Sequence, residues 1–259
     1  MNYWDLRKMH SIWIYPLLFL TGTIAGLVDS IAGGGGLITL PVLLSVGFPP
    51  HMALGTNKFQ SSFGSFTSSY YYVRKGGVSL KSALPGIVFT LLGAALGSWS
   101  VQQVSSTILQ YIIPCLLIAI VIYTFISPNL GEMDKHPRMK HMAFFFTFGL
   151  ILGFYDGFFG PGVGSFWAIS FVVMLGFNLT KATGYTKVMN FTSNIVSFLV
   201  FIAGGFVMFT AGIAMAAGQI LGSRIGAGLV VKRGTKFIRP IFITMVILTT
   251  LKLIYSTFF

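Results

Sequence analysis

The chain has 259 residues, 54% of them hydrophobic and only 8% charged, with a mean hydropathy of +0.83. Soluble domains carry about a quarter charged residues, so this composition excludes an ordinary water-soluble protein and points to lipid as the solvent. The net charge of +12 does not indicate nucleic acid, because no polar module gathers the 17 Lys and Arg residues into a binding face.

The predicted elements, in chain order, describe one membrane domain over 1–259. Arg7-Lys8 and the apolar run from Ile12 imitate a secretory signal. The run continues into a glycine-rich segment that recurs later, so we read it as part of the fold. The stretch 12–47 is too long for a single span and is interrupted at Gly33–Gly36. Runs of spanning length, near the ~20 residues that cross a hydrocarbon core, follow at 55–74, 81–101 and 106–127. A polar connection, 128–140, leads to a second over-long stretch, 141–176, interrupted at Gly160-Pro161-Gly162-Val-Gly164. Further runs occupy 186–203, 207–231 and 237–257.

The two halves repeat. An offset of 127 carries Asp29 to Asp156 and Gly33 to Gly160. An offset of 129 carries Gly47-Phe48 to Gly176-Phe177, and Ala53-Leu-Gly55-Thr-Asn-Lys58 to Ala182-Thr-Gly184-Tyr-Thr-Lys187. Gly93, Gly97 and Ser98 match Gly218, Gly222 and Ser223, and Pro114 matches Pro240. Repeat one is therefore 12–127 and repeat two 141–258.

Charge sets the relative orientation. Connections 74–81 and 231–236 are basic, whereas 102–107 and 204–206 carry no charge. Equivalent connections thus carry opposite bias, and basic connections belong to the cytoplasm. This predicts an all-α integral membrane protein with two inverted-topology repeats, each a glycine-broken helical hairpin plus three spanning helices. The linker 128–140, with Lys135, Arg138 and Lys140, lies inside on this scheme. Both termini lie outside, the N-terminus against the local bias of Arg7 and Lys8. If each broken stretch crosses once instead, the six runs and two stretches give eight crossings and parallel repeats.

Glycine and proline end helices, and glycine lets backbone approach a ligand closely. Irregular backbone at membrane depth is tolerated where it is buried in protein or lines a wet cavity. A half-helix starting there presents unpaired N–H groups and the positive end of its dipole, which suits an anion. Tight packing through small residues is the competing reading. Gly33–Gly36 lacks the Lys-Ser/Thr sequel of a nucleotide loop. Charges within apolar runs are costly and usually face a cavity or a partner. Lys58 and Lys187, which are repeat-equivalent, either approach a central anion or snorkel to the interface. Asp29 and Asp156 either pair with the lysines, cap the next segment or carry a coupling proton. The candidate substrate-binding residues are Gly33, Gly34, Gly35, Gly36, Gly160, Gly162, Gly164 and Ser165 from the breaks, and Asn57, Lys58, Gln60, Lys187, Asn190 and Asn194 from the following spans. Thr56, Ser61, Ser62, Ser65, Thr186, Thr192 and Ser193 add small polar groups, for an anion path or for helix–helix hydrogen bonds. The role of Arg224 stays open.

Other features read as ordinary. Cys115 is expected to be a small buried apolar side chain. Trp4, Trp13, Tyr70–Tyr72 and Tyr255 fit interfacial belts. His10, His51, His136 and His141 show no metal-ligand spacing, so neither a metal nor a cofactor is expected. A scaffold role fits the repeat poorly. Gly162-Val-Gly164-Ser165 offers a remote alternative, an intramembrane serine hydrolase, but no histidine within a span supplies a base.

With Gly26-Leu-Val-Asp29-Ser-Ile-Ala-Gly-Gly-Gly-Gly36, Gly55-Thr-Asn-Lys58 and Gly153-Phe-Tyr-Asp156-Gly-Phe-Phe-Gly-Pro-Gly162, the sequence resembles the sulfite exporter TauE/SafE family of bacterial membrane proteins, over essentially the whole chain. The resemblance implies a multi-pass bacterial inner-membrane permease. Its partners would be membrane lipid and a small anionic substrate such as sulfite or an organosulfonate, usually in export. A transporter or channel for another small anion is the alternative, and a homo-oligomer is left open.

Overall fold

The computed structural model describes residues 14–75, 77–126 and 136–233. The N-terminal Arg7-Lys8, Lys135 of the linker, Pro240, Trp4, Trp13, Tyr255 and the run at 237–257 lie outside these described residues.

The described residues form helices joined by short connections. The first half of the chain contributes α1 (Ile14–Ala32), α2 (Gly36–Ser45), α3 (Pro50–Arg74), α4 (Leu80–Gln102) and α5 (Ser106–Ile126). The second half contributes α6 (His141–Phe158), α7 (Val163–Leu175), α8 (Leu179–Ala203) and α9 (Phe209–Arg233). Both over-long stretches break at their glycines. Gly33 at φ 76° and Gly160 at φ 97° occupy the left-handed region that residues with a Cβ avoid, so neither helix runs through. Pro161 and Gly162 complete the second break before α7 starts. Pro50 opens α3 at a position where its missing N–H costs nothing. The Asn178 side chain caps α8 by accepting from the Lys181 amide at 3.0 Å.

Among the described residues, five helices are long and apolar enough to cross a membrane: α1, α4, α6, α8 and α9. Helix α3, at 25 residues, has the length but carries Thr56, Asn57, Lys58, Gln60 and several serines. It tolerates them because they are buried among other helices, not in lipid. Large side chains such as Leu84, Leu96, Trp99, Ile151, Leu199 and Ile213 are exposed and form the lipid-facing surface. Cys115 is also exposed, contrary to expectation. Tyr72 departs from the expected belt: it is buried, and its hydroxyl donates to the Ser30 carbonyl at 3.2 Å. Tyr70 remains exposed.

The helices pack in exchange-related sets. Helix α1 lies on α9 as α6 lies on α4, α3 meets α9 as α8 meets α4, and α3 and α8 pair with each other. Glycines bring these backbones together. A Cβ on Gly218 or Gly222 would strike Phe19 or Thr23 backbone of α1, and one on Gly93 or Gly97 would strike α6. The repeated Gly93-Gly97 and Gly218-Gly222 pairs therefore have a packing role.

Two docking points mark the ends. At one, Tyr185 at the start of α8 hydrogen-bonds Ser82 Oγ at 2.5 Å and the Ser79 amide at 3.4 Å. Arg138 N donates to Met174 O, tying the linker to the C-terminal end of α7 beside the same α8 start. Arg74, Lys75, Lys81, Arg138 and Lys140 are exposed in these segments. At the other, Thr56 Oγ1 accepts from Met208 N at 3.0 Å, and His51 stacks on Phe206 while hydrogen-bonding Ser106 and the Val101 carbonyl. The connections meeting there, 103–105 and 204–208, carry no charge.

Candidate functional site

The two breaks meet in the interior. A Cβ on Gly33 would fall on the Gly164 backbone, and one on Gly164 would fall on Gly33. Gly36 faces Pro161 and Asn57: a Cβ there would lie 3.3 Å from Pro161 Cα and 3.6 Å from Asn57 Nδ2. Each break is thus built into the other, and both abut α3 or α8. Tyr155 braces the second break by donating to the Pro161 carbonyl at 2.7 Å.

Around this junction lie two ion pairs, each joining the first half of the chain to the second. Lys58 of α3 sits 2.5 Å from Asp156 Oδ1 of α6 and also donates to the Asp156 carbonyl. Lys187 of α8 sits 3.3 Å from Asp29 Oδ2 of α1 and also donates to the Asp29 carbonyl. Neither lysine snorkels: their side chains are 1% and 0% exposed. The two pairs flank the same junction of the breaks. Two lysines and two aspartates sum to zero.

The glycines admit these pairs. A Cβ on Gly160 would lie 2.6 Å from Lys58 Nζ and 2.7 Å from Asp156 Oδ1, and one on Gly35 would lie 2.8 Å from Asp29 Cβ. The Gly35 amide donates to Asp29 Oδ1 at 3.3 Å. Ser193 of α8 donates to Asp156 Oδ2. Thr39 of α2 donates to Asn57 Oδ1 at 2.5 Å, and Gln60 Nε2 donates to the same oxygen at 2.8 Å.

Three buried oxygens flanking the lysines in sequence find no hydrogen-bond partner among the described residues: Gln60 Oε1, Thr186 Oγ1 and Asn190 Oδ1. Folded proteins leave few such groups, and each costs about 1–3 kcal/mol unless something meets it. Thr186 and Asn190 lie one turn apart on α8.

Of the sequence candidates, the structure brings together Asp29, Gly33, Gly35, Gly36, Asn57, Lys58, Gln60, Asp156, Gly160, Gly164 and Lys187. Gly34 and Gly162 are buried inside the breaks, and Gly162 precedes α7. Ser165 lies in the first turn of α7, partly buried, with its amide donating to the Gly162 carbonyl at 3.0 Å. Among the described residues no hydrogen bond ties Asn194 to either ion pair, although it is buried on α8. Arg224 is exposed and outside both pairs. Thr39 and Tyr155 were absent from the candidates, and Ser193 stood only in the wider polar cluster. A lone threonine in the apolar α2 was the available signal for Thr39. No group of His, Cys, Asp and Glu able to hold a metal occurs among the described residues.

Among the described residues the architecture is helical, with charge-paired, broken helices of the kind that form transporter substrate sites. Residues 18–253 match the family described as "Sulfite exporter TauE/SafE", and the chain belongs to that family. It is 44% identical over 246 residues to a "Probable membrane transporter protein" of Haemophilus influenzae, covering 95% of this chain and 96% of that one. It is 44% identical over 249 residues to the "Probable membrane transporter protein YfcA" of Escherichia coli K12, covering 96% and 93%. A more distant relative, the "Probable membrane transporter protein YdhB" of Bacillus subtilis, is 25% identical over 218 residues, covering 83% and 88%. The chain is a membrane transporter of this family.

Proposed function

We propose that the protein exports a small sulfur-containing anion, such as sulfite or an organosulfonate, across the bacterial inner membrane by alternating access. The observation that carries the anion reading is the meeting of two half-helix starts beside two buried ammonium groups, Lys58 and Lys187. Backbone amides at a helix start and a lysine are donors suited to an oxyanion. Gly33–Gly36, Gly160, Gly162, Gly164 and Ser165 would supply backbone or hydroxyl contacts. Asn57, Gln60, Asn190 and Asn194 would replace water around the anion. Asp29 and Asp156 would balance charge or carry a coupling proton. The family description supports sulfite; the printed names of the relatives support only transport.

The same reading takes the repeats, 12–127 and 141–258, as inverted, with the linker 128–140 and the other basic connections in the cytoplasm. Exchange-related packing and the gathering of exposed basic residues at the Tyr185 end support this arrangement. The two docking points would then be the gates, Thr56 and His51 closing one side and Tyr185 the other.

Uptake of labelled sulfite into proteoliposomes tests the function. Wild-type flux above that of empty liposomes, with loss of most of it in Lys58→Ala and Lys187→Ala, is the expected result. Undiminished flux in both variants removes the lysines from the pathway, and no wild-type flux removes sulfite.

A further inference from the structure

The two crossed ion pairs are equivalent by repeat but unequal in build. Asp156 is held on both oxygens, by Lys58 at 2.5 Å and by the Ser193 hydroxyl, and its side chain is 3% exposed. Asp29 is held on both oxygens by longer contacts, Lys187 at 3.3 Å and the Gly35 amide at 3.3 Å, and its side chain is 18% exposed. One pair is sealed and the other is open on its acidic side.

The donors around Asp29 explain why this matters. Its carboxylate bridges a backbone N–H at the start of a ten-residue half-helix and a fully buried ammonium. That is the donor set a transported oxyanion needs, and a side chain of the protein already fills it. The ammonium does not depend on the carboxylate for its position, because it also donates to the Asp29 main-chain carbonyl. A carboxylate offers two oxygens and a sulfonate or sulfite three.

We propose that Asp29 is a tethered competitor of the transported anion: its carboxylate fills the oxyanion seat made by the Gly35 amide and Lys187, and the anion binds by taking its place. This rests on the anion-transport reading of the site. Displacement leaves a carboxylate without its partner in a site whose four charges sum to zero, and adding an anion brings the sum to minus one. Protonation of Asp29 restores neutrality, so the anion enters together with one proton. No covalent bond changes; the proton moves from solvent to the Asp29 carboxyl.

The surroundings leave few other groups to take that proton. The titratable residue of α8 facing Asp29 is Lys187. Helix α3 presents Tyr72, whose hydroxyl donates to Ser30 O, and Lys58, engaged with Asp156. Helices α2 and α7 contain no titratable residue. Helix α9 turns glycines, Gln219 and Ser223 toward α1, and its Arg224 is exposed.

The test measures anion binding by thermal stabilisation of the purified full-length protein in detergent, separately from flux. The probes are sulfite and methanesulfonate, the latter keeping its single charge across the whole pH series. Asp29→Asn keeps the size and removes the competing charge. We expect it to bind methanesulfonate at least about tenfold more tightly than wild type at pH about 8, since a competitor reduces apparent affinity by the fraction of time the seat is free. We expect wild-type affinity to strengthen as pH falls and Asp29→Asn affinity to stay level. Binding by Asp29→Asn no tighter than wild type for either probe overturns the proposal. Should that variant fail to fold, the wild-type pH series decides alone, and a level series overturns it. Binding with the expected pattern but no flux in proteoliposomes leaves the seat standing and refutes the transport reading instead.

Discussion

Replacing Lys58 with methionine should be among the most damaging single changes in the protein. Lys58 and Asp156 are 1% and 3% exposed, so the variant leaves a carboxylate buried without its countercharge. Breaking a buried pair from one side costs about 3–5 kcal/mol. Ser193 still donates to Asp156, and a hydrogen bond to a charged group recovers part of the loss, which places the cost near about 3 kcal/mol. At roughly 2–4 °C per kcal/mol for a chain of this size, the apparent melting temperature in detergent should fall by about 6–12 °C. The double variant Lys58→Met/Asp156→Asn removes both charges and should regain at least half of that drop. Fluorescence-detected thermal unfolding of the three proteins provides the measurement. A single variant that melts with wild type, or a double variant no better than the single one, would refute the claim that this pair is held at the expense of a buried charge.

Other outcomes follow from the same geometry. Gly33→Ala and Gly164→Ala each place a Cβ on the opposite break's backbone, and Gly33 also has φ 76°; both should lose most folded protein and flux. Gly228→Ala, whose new Cβ meets, among the described residues, only Tyr71 Oη at 3.9 Å, should behave as wild type, and size-exclusion profiles would separate the three. Single cysteines introduced at Lys75 and at Gly205, in a background with Cys115 replaced by serine, should react with a membrane-impermeant maleimide from opposite faces. Labelling of both from one face would contradict the inverted arrangement. Tyr185→Phe removes the hydroxyl bound by Ser82 and Ser79, and should raise maleimide access from the basic end without changing the melting temperature by more than about 2 °C.

Much of this site was legible because charge in an apolar run is expensive and therefore conspicuous. Asp29, Lys58, Asp156 and Lys187 stand out on that ground, and the repeat offset identifies them as two equivalent pairs. Which aspartate meets which lysine was not legible. The partners come from different repeats, and nothing local in either segment distinguishes crossing from pairing within a repeat. The breaks were readable from their glycines and Pro161. Their direct contact was not, since it depends on how α1 and α6 cross the facing helices. Tyr72 and Cys115 went the wrong way for a related reason. In lipid the outward and inward faces of a helix are both apolar, so hydropathy does not tell which side of α3 or α5 turns inward. The unequal hold on Asp29 and Asp156 is a matter of individual hydrogen bonds, which the shared glycine and aspartate spacing of the two motifs does not show.

Anion transport by this site requires an anion to reside where the two breaks meet, within reach of a buried lysine. Crystals of the protein soaked with selenite, whose selenium scatters anomalously and whose shape follows sulfite, test this directly. An anomalous peak should lie within hydrogen-bonding distance, about 3–4 Å, of Lys187 Nζ or Lys58 Nζ and the Gly33–Gly36 or Gly160–Gly164 backbone. A peak confined to the surface, or none at all at concentrations that support flux, would contradict it.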